Sequence, residues 1–596
     1  MVKKKKVIIG ILVIIVVIVV LVLLDKDKLV LLNKDQSEEQ TITKQFITSG
    51  SSGTWSSKEN KVNTNVELKD GWIRLWYNTR DFIGEISFIN ELPLKLSGDG
   101  IFIKAKGEGV WMVSLGASDS FSDPATLPYF MLEVKSEEDD YYLPFSDFGF
   151  RSEYTGDVSI LNPDKIKSLI FIPSLGWSEK GQSHFLEIKE IKSYEKGISS
   201  ETDNDGDGIP NNNDWDIDGD GWFNILEGYA GTDQMNPSDF PNGKLGVPSN
   251  GSYTGTLITS GATGIVEFEE LTGMKSAIIS VFPGWEINPN APLKLDKPFL
   301  DWVWRHGSIP RHSWIPEGIR IQDILDGKHD EIVNALAREV KALKQPIIWA
   351  WGVEVTGSPG EPSNALWNFG KDGTEKWFET DNMYTYYGDL NELDGIERWK
   401  DYVAYMKKVF DSHGANNLIY FFHVLAEEYS TAGEDILDGM YPVPGDWNSV
   451  EKYYPSDEFV DWCGLSVNGP MWHKDKWRTL DEIFSDNKNH LTKLQNVCKE
   501  KPFFIPEFSF FPQENKNPEK SRAELFSKVF EQLKTKYPFI KAWTYENTRA
   551  LSPPVLDIWP IAPFMGPDSP PDEIEAFKKA VTENSYFIKD PILLPK

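Results

Sequence analysis

Glu354 and Glu507 stand where a carboxylate is expensive to place unless it has a task. Glu354 closes the apolar run Pro346-Ile347-Ile348-Trp349-Ala350-Trp351-Gly352-Val353, and Glu507 follows Pro502-Phe503-Phe504-Ile505-Pro506. Each is therefore flanked by groups that desolvate it. Read singly, either glutamate is equally a salt-bridged loop residue. Read as a pair, they are the equipment of glycoside hydrolysis: one protonated carboxyl donates to the leaving oxygen, and the other carboxylate attacks or stabilises the oxocarbenium-like centre. A retaining pair would sit roughly 5 to 5.5 Å apart, an inverting pair farther.

A second acidic set has the spacing of a cation site. Asp203, Asp205, Asp207, Gly208, Asn211 and Asp214 fall at offsets 1, 3, 5, 6, 9 and 12 of one loop, and Asp216, Asp218, Asp220, Gly221, Asn224 and Glu227 repeat them. The pattern matches D-x-D-x-D-G-x5-E, in which side-chain oxygens wrap a hard cation while glycine permits the sharp turn. The oxygen-bearing residues of both loops are the expected ligands of structural Ca2+, which would stiffen a linker over 197–243. A plain acidic linker is the alternative, but it gives no reason for glycine and end carboxylate to recur in step.

What must position the two glutamates is an alternation of apolar β-like runs with amphipathic helical stretches over 244–596. Eight runs, at 244–248, 276–283, 309–315, 346–354, 417–423, 459–467, 502–508 and 540–547, predict parallel strands, with helical crossovers such as 331–343 and 397–413. That is the pattern of a (β/α)8 TIM barrel. Chemistry in this fold lies at the C-terminal ends of the strands, and Glu354 and Glu507 end the fourth and seventh runs. Residues 41–196 have another texture. Runs such as Gly71-Trp72-Ile73-Arg74-Leu75-Trp76-Tyr77, and the alternating Phe185-Leu186-Glu187-Ile188-Lys189-Glu190-Ile191, predict an all-β sandwich. The chain is multidomain.

A formal charge of −30 opposes a nucleic-acid partner, which needs Lys and Arg to displace counterions. The 22 tryptophans exceed what packing asks for and suit stacking on pyranose rings. Lys3-Lys4-Lys5-Lys6 precedes an apolar run over 7–24 with no small-residue cleavage site. This predicts a single-pass signal-anchor transmembrane helix within 1–30, a stalk over 31–40 and all later residues outside the cell. No protein partner can be inferred. Cys463 and Cys498 read as two buried thiols, with a bridge as the alternative.

Three resemblances add to this. The sandwich, with its Leu143-Pro144-Phe145-Ser146-Asp147-Phe148 run and final strand, resembles jelly-roll carbohydrate-binding modules. The acidic loops resemble thrombospondin type 3 and dockerin-like calcium repeats. Most of 244–548 resembles glycoside hydrolase family 26, the β-mannanase family. The matching residues are Gly307-Ser308-Ile309-Pro310, Ser313-Trp314-Ile315-Pro316, Gly414-Ala415-Asn416-Asn417-Leu418-Ile419-Tyr420 leading to His423, Tyr454-Pro455-Ser456-Asp457 through Val460-Asp461-Trp462-Cys463-Gly464, and Pro502 to Phe508. The resemblance implies a polysaccharide substrate, with Glu354 as acid/base and Glu507 as nucleophile. It places His423 and Trp314 at the sugar and has Trp543 stack on it; Trp285, Trp351 and Trp367, outside the matched motifs, are this chain's own candidates for apolar subsites in place of family groups it lacks. Around Glu354 the chain departs from the family: Ala350-Trp351-Gly352-Val353-Glu354-Val355-Thr356-Gly357 stands where the family has Arg-Pro-x-His-Glu-Met-Asn-Gly. Asn468 takes the place of a tyrosine that contacts the nucleophile. A non-catalytic surface lectin on an inherited barrel is the rival, and a Glu354 turned away from Glu507 would favour it.

Overall fold

The computed structural model describes residues 40–596 except 48–51, 60–62, 79–86, 92–97, 118–126, 151–164, 175–182, 198–201, 258–260, 282–294, 315–320, 357–394, 427–448, 470–477, 486–488, 511–520, 548–564 and 566–568. The expected anchor at 7–24 lies outside the described residues. Among those described, no helix is long and apolar enough to cross a membrane.

The N-terminal third forms two antiparallel sheets. One carries six strands in the order Gln40–Ile47, Ser52–Glu59, Ser87–Glu91, Ile166–Pro173, Val110–Ala117, Tyr129–Glu133. The other carries five, in the order Asn63–Lys69, Trp72–Asn78, Ser183–Tyr194, Gly100–Gly107, Asp139–Pro144. Alternate residues explain why they pack together. Ile73, Leu75, Ile101, Ile103, Leu186 and Ile188 from one sheet and Val113, Leu115, Leu169 and Phe171 from the other share a single buried core, as the period of two requires.

The barrel closes through eight parallel strands: Gly255–Leu257, Ile278–Val281, Ile309–Ser313, Ile347–Ala350, Leu418–Leu425, Trp462–Gly469, Phe503–Phe510 and Ile540–Glu546. The last pairs back onto the first at Thr256 with Tyr545. Its crossover helices follow their residue patterns. In Asp330–Leu343, for example, Val333, Leu336, Ala337 and Val340 are buried on one stripe.

Three expectations need correction. The first strand is not 244–248: Pro241–Leu245 instead pairs antiparallel with Leu593–Pro595, because the far end of the chain offers it a partner. The first barrel position falls to Gly255–Leu257 with Ser252–Tyr253 just before it. The fourth strand stops at Ala350, so Glu354 stands in the bend beyond it rather than at its last residue. Cys463 and Cys498 are bridged. Helix Leu491–Val497 packs back on the sixth strand and leaves the two Cα atoms 6.5 Å apart, within bridging range.

The sandwich lies along the flank of the barrel. Toward the C-terminal face, Val110 and Thr263 exchange hydrogen bonds of 2.9 and 3.1 Å, and the Ser174 hydroxyl accepts from the Ala262 N–H at 2.9 Å. At the other end of helix Lys297–Arg305, Trp302 Nε1 donates to Glu133 at 2.9 Å and Arg305 to the Met131 carbonyl at 3.0 Å.

Candidate active site

Glu354 sits in the left-handed region at φ 48°. A residue with a Cβ pays roughly 1–2 kcal/mol to be there, and such conformations persist only where the surroundings hold them. Here they do. The Val355 N–H donates to the His423 carbonyl at 3.0 Å and the Leu425 N–H to Thr356 Oγ1 at 3.3 Å, pinning the bend to the fifth strand. Glu354 is 9% exposed and the Glu507 side chain 12%. An oxygen of each, together with a ring nitrogen of His423, forms a group in which all atoms lie within 4.8 Å of one another.

Residues that sequence reasoning passed over complete the site. Arg311, fully buried in the third strand, places Nη1 3.6 Å from Glu507 Oε1, an ion pair, and Nη2 3.2 Å from His423 Nδ1. His423 Nε2 lies 2.7 Å from the Ser466 hydroxyl, which donates to Glu507 Oε2 at 3.3 Å. The proton positions follow from the partners. Arginine only donates, so His423 Nδ1 accepts and the ring proton is on Nε2. Burial, then the Arg311 charge, push the His423 pKa well below the ordinary value, which keeps the ring neutral. Burial also pulls the Arg311 pKa down, and Glu507 and Glu354 oppose that shift; the guanidinium serves both carboxylates. The signal for Arg311 was a charged residue in mid-strand, in the gap between the matching runs Gly307–Pro310 and Ser313–Pro316.

Strand alternation corrects the expected aromatic subsites. Arg311, His423 and Ser466 face the barrel interior, whereas His312 stacks on Trp349 at 4.4 Å between ring centroids, on the opposite face of its strand. Trp314 and Trp351 belong to that outer set. They are 2% and 3% exposed, and Trp351 packs on Phe410 and Tyr402 of helix Gly395–His413. Trp543, 0% exposed, packs on Phe530 and Phe587, while its neighbour Thr544 faces inward toward Ser280. All three tryptophans are core residues facing the helical layer. Trp285, Trp367 and the Asn468 side chain lie outside the described residues; the Asn468 backbone pairs with Ser509. Gly464 leaves room for the Phe421 ring inside the barrel, where a Cβ would meet that ring at 2.6 Å.

The acidic loops repeat their geometry as well as their spacing. Gly208 and Gly221 have φ of 92° and 90°, and each donates its N–H to the first aspartate of its loop, at 3.0 and 2.7 Å. Carboxylate oxygens of Asp203, Asp205 and Asp207 lie within 4.8 Å of one another, as do those of Asp216, Asp218 and Asp220. The residues fit a cation. Asp214 Oδ2, Asp216 Oδ1, Asp218 Oδ2, Asp220 Oδ2 and both Glu227 oxygens are buried without a hydrogen-bond partner. Burial, then the surrounding carboxylates, push Glu227 up to about 8. Asn211 and Asn224 differ from expectation: their side-chain oxygens accept the N–H of Asn204 and Ile217, each at 3.0 Å, so they brace the loops.

No family description matches this chain. Endoglucanase H from Acetivibrio thermocellus is 23% identical over 342 residues, 56% of this chain. The chain spans 30% of that relative's length. Among solved structures, GH26C from Muricauda sp. MAR_2010_75 covers 57% of this chain and 87% of its own at 12% identity and TM-score 0.36. A family 11 carbohydrate-binding module from Clostridium thermocellum covers 26% and 96% at 20% identity and TM-score 0.19.

Proposed function

We propose that the barrel is a retaining glycoside hydrolase acting on a β-linked glycan, β-mannan or a relative of it. The observation that carries the reading is that an oxygen of Glu354 and an oxygen of Glu507 lie within 4.8 Å of one another, the close approach that a retaining pair, with carboxyls roughly 5 to 5.5 Å apart, requires. Glu507 attacks the anomeric carbon as Glu354 protonates the departing glycosidic oxygen. Glu354, now a base, takes a proton from water, which displaces Glu507 and restores the configuration. Arg311, 3.6 Å from Oε1, and the Ser466 hydroxyl, donating to Oε2, orient Glu507 for this attack. The resemblance to endoglucanase H supports the same substrate class.

The linker is proposed to hold structural Ca2+ through Asp203, Asp205, Asp207, Asp214, Asp216, Asp218, Asp220 and Glu227, where the ion would neutralise the clustered carboxylates. Residues 7–24 are proposed to anchor the protein at the outer face of a membrane. The Cys463–Cys498 bridge suits such an oxidising compartment. The test is release of reducing ends from β-mannan, β-xylan and β-glucan by the whole chain in detergent, beside Glu507→Ala, with the anomer of the first product read by NMR. Release that vanishes in the variant, with retained configuration, supports the proposal. Inverted product overturns the mechanism, and binding without release moves the reading to a lectin.

A further inference from the structure

A cavity of about 360 Å3 opens where sandwich, acidic linker and barrel meet, within the roughly 300–1,000 Å3 range of small-molecule sites. It is remote from the glutamates. Its barrel wall is the C-terminal end of helix Lys297–Arg305, which leads into the start of the third strand and so lies at the face opposite the one that bears Glu354 and Glu507.

The walls describe their ligand. Trp215 stands at the cavity 45% exposed, whereas Trp302 deeper in the wall is 1% exposed. The Arg305 guanidinium lies over the Phe130 ring, 4.1 Å from its centroid, and over the Trp215 ring, 5.7 Å from its centroid. The exposed Asn212 amide and the Asn213 side chain, anchored by a 2.8 Å bond from its Nδ2 to the Asp140 carbonyl, add hydroxyl partners. In the wall Lys135 pairs with Asp139, His306 with Glu133 at 3.1 Å and Asp140 with Lys104 at 2.7 Å, while Arg305 and Asp214 bring opposite charges to the same cavity. An anion would meet carboxylates and a cation would meet Arg305. A neutral ligand with a flat C–H face and many hydroxyls fits all of these groups.

We propose that this junction cavity is a second saccharide-binding site, separate from the catalytic cleft, with Trp215 as its stacking platform. The assignment of a β-linked oligosaccharide rests on the hydrolase reading of the barrel; the cavity itself does not.

The test uses the whole chain in detergent carrying Glu507→Ala, so that no ligand is consumed, titrated calorimetrically with mannohexaose, cellohexaose and xylohexaose. One oligosaccharide should show a binding event that Trp215→Ala weakens at least tenfold and Trp215→Phe largely restores, with unchanged melting temperature. Trp215→Ala in the otherwise unaltered chain should leave hydrolysis of a short soluble substrate within about twofold. If Trp215→Ala changes no binding isotherm for any of the three, the proposal is overturned. Failure of the hydrolase reading shows separately, as absence of sugar release by the unaltered chain, and leaves a Trp215-dependent isotherm intact.

Discussion

Glu507 keeps its two oxygens in different surroundings: Oε1 faces Arg311 across 3.6 Å and Oε2 accepts from Ser466 at 3.3 Å. A buried arginine of the third strand and a serine of the sixth thus both reach Glu507, the proposed nucleophile. Ser466→Ala removes that donor and leaves the His423 N–H without an acceptor. It is expected to lower kcat about 10- to 100-fold with KM within about twofold, read by steady-state kinetics on the best polymer. Ser466→Thr, which keeps the hydroxyl, should recover most of the rate. An equal loss in both variants would mean that packing rather than the hydrogen bond matters at this position.

Among the elements, the helix Leu491–Val497 depends on its tie to the sixth strand. It has seven residues, too short to be stable alone, and the Cys463–Cys498 bridge closes the segment that carries it. Cys498→Ser is expected to cost about 2–4 kcal/mol, measured by denaturant unfolding against the parent, and a reducing agent should do the same to the parent alone. Helix Lys297–Arg305 ends in a second device. His306, capping that helix, holds Glu133 of the sandwich at 3.1 Å and Glu269 of the barrel at 2.9 Å. Burial opposes its charge, but the two carboxylates win and raise it to about 10. A raised histidine stabilises fully below its unfolded value near 6.5 and loses that contribution as pH climbs toward about 10. Melting temperature should therefore fall across this window in the parent and less steeply in His306→Gln. Parallel slopes would show that the cluster does not hold the sandwich to the barrel.

On the scale of the whole molecule, the acidic linker touches both of its neighbours. Asn213 donates to the Asp140 carbonyl of the sandwich at 2.8 Å, and Gln345 of the barrel donates to the Gly221 carbonyl at 2.7 Å. The proposed Ca2+ would sit among these clustered carboxylates, and its removal would leave their repulsion unopposed. Chelation is expected to destabilise the molecule by roughly 3 kcal/mol where the ion had stood at about a hundredfold its Kd, and to open residues 202–240 to protease, both reversed by added Ca2+. A melting curve and a digestion pattern indifferent to chelator would remove the ion from this account.

Local pattern alone was enough for the alternation of strands and helices, the two glutamates at the ends of apolar runs, and the doubled loop spacing, because each depends on residues close in sequence. Facing was harder to read. Trp314, Trp351 and Trp543 are as aromatic as sugar platforms, and only the closed barrel turned them outward to its helices. The meeting of Arg311 with His423 spans 112 residues and that of Ser466 with Glu507 spans 41. The bridge at Cys463 and the cavity at Trp215 likewise needed distant segments brought together. Register and closure decide such neighbours, since a strand's pattern states which residues share a face but not which face or beside whom.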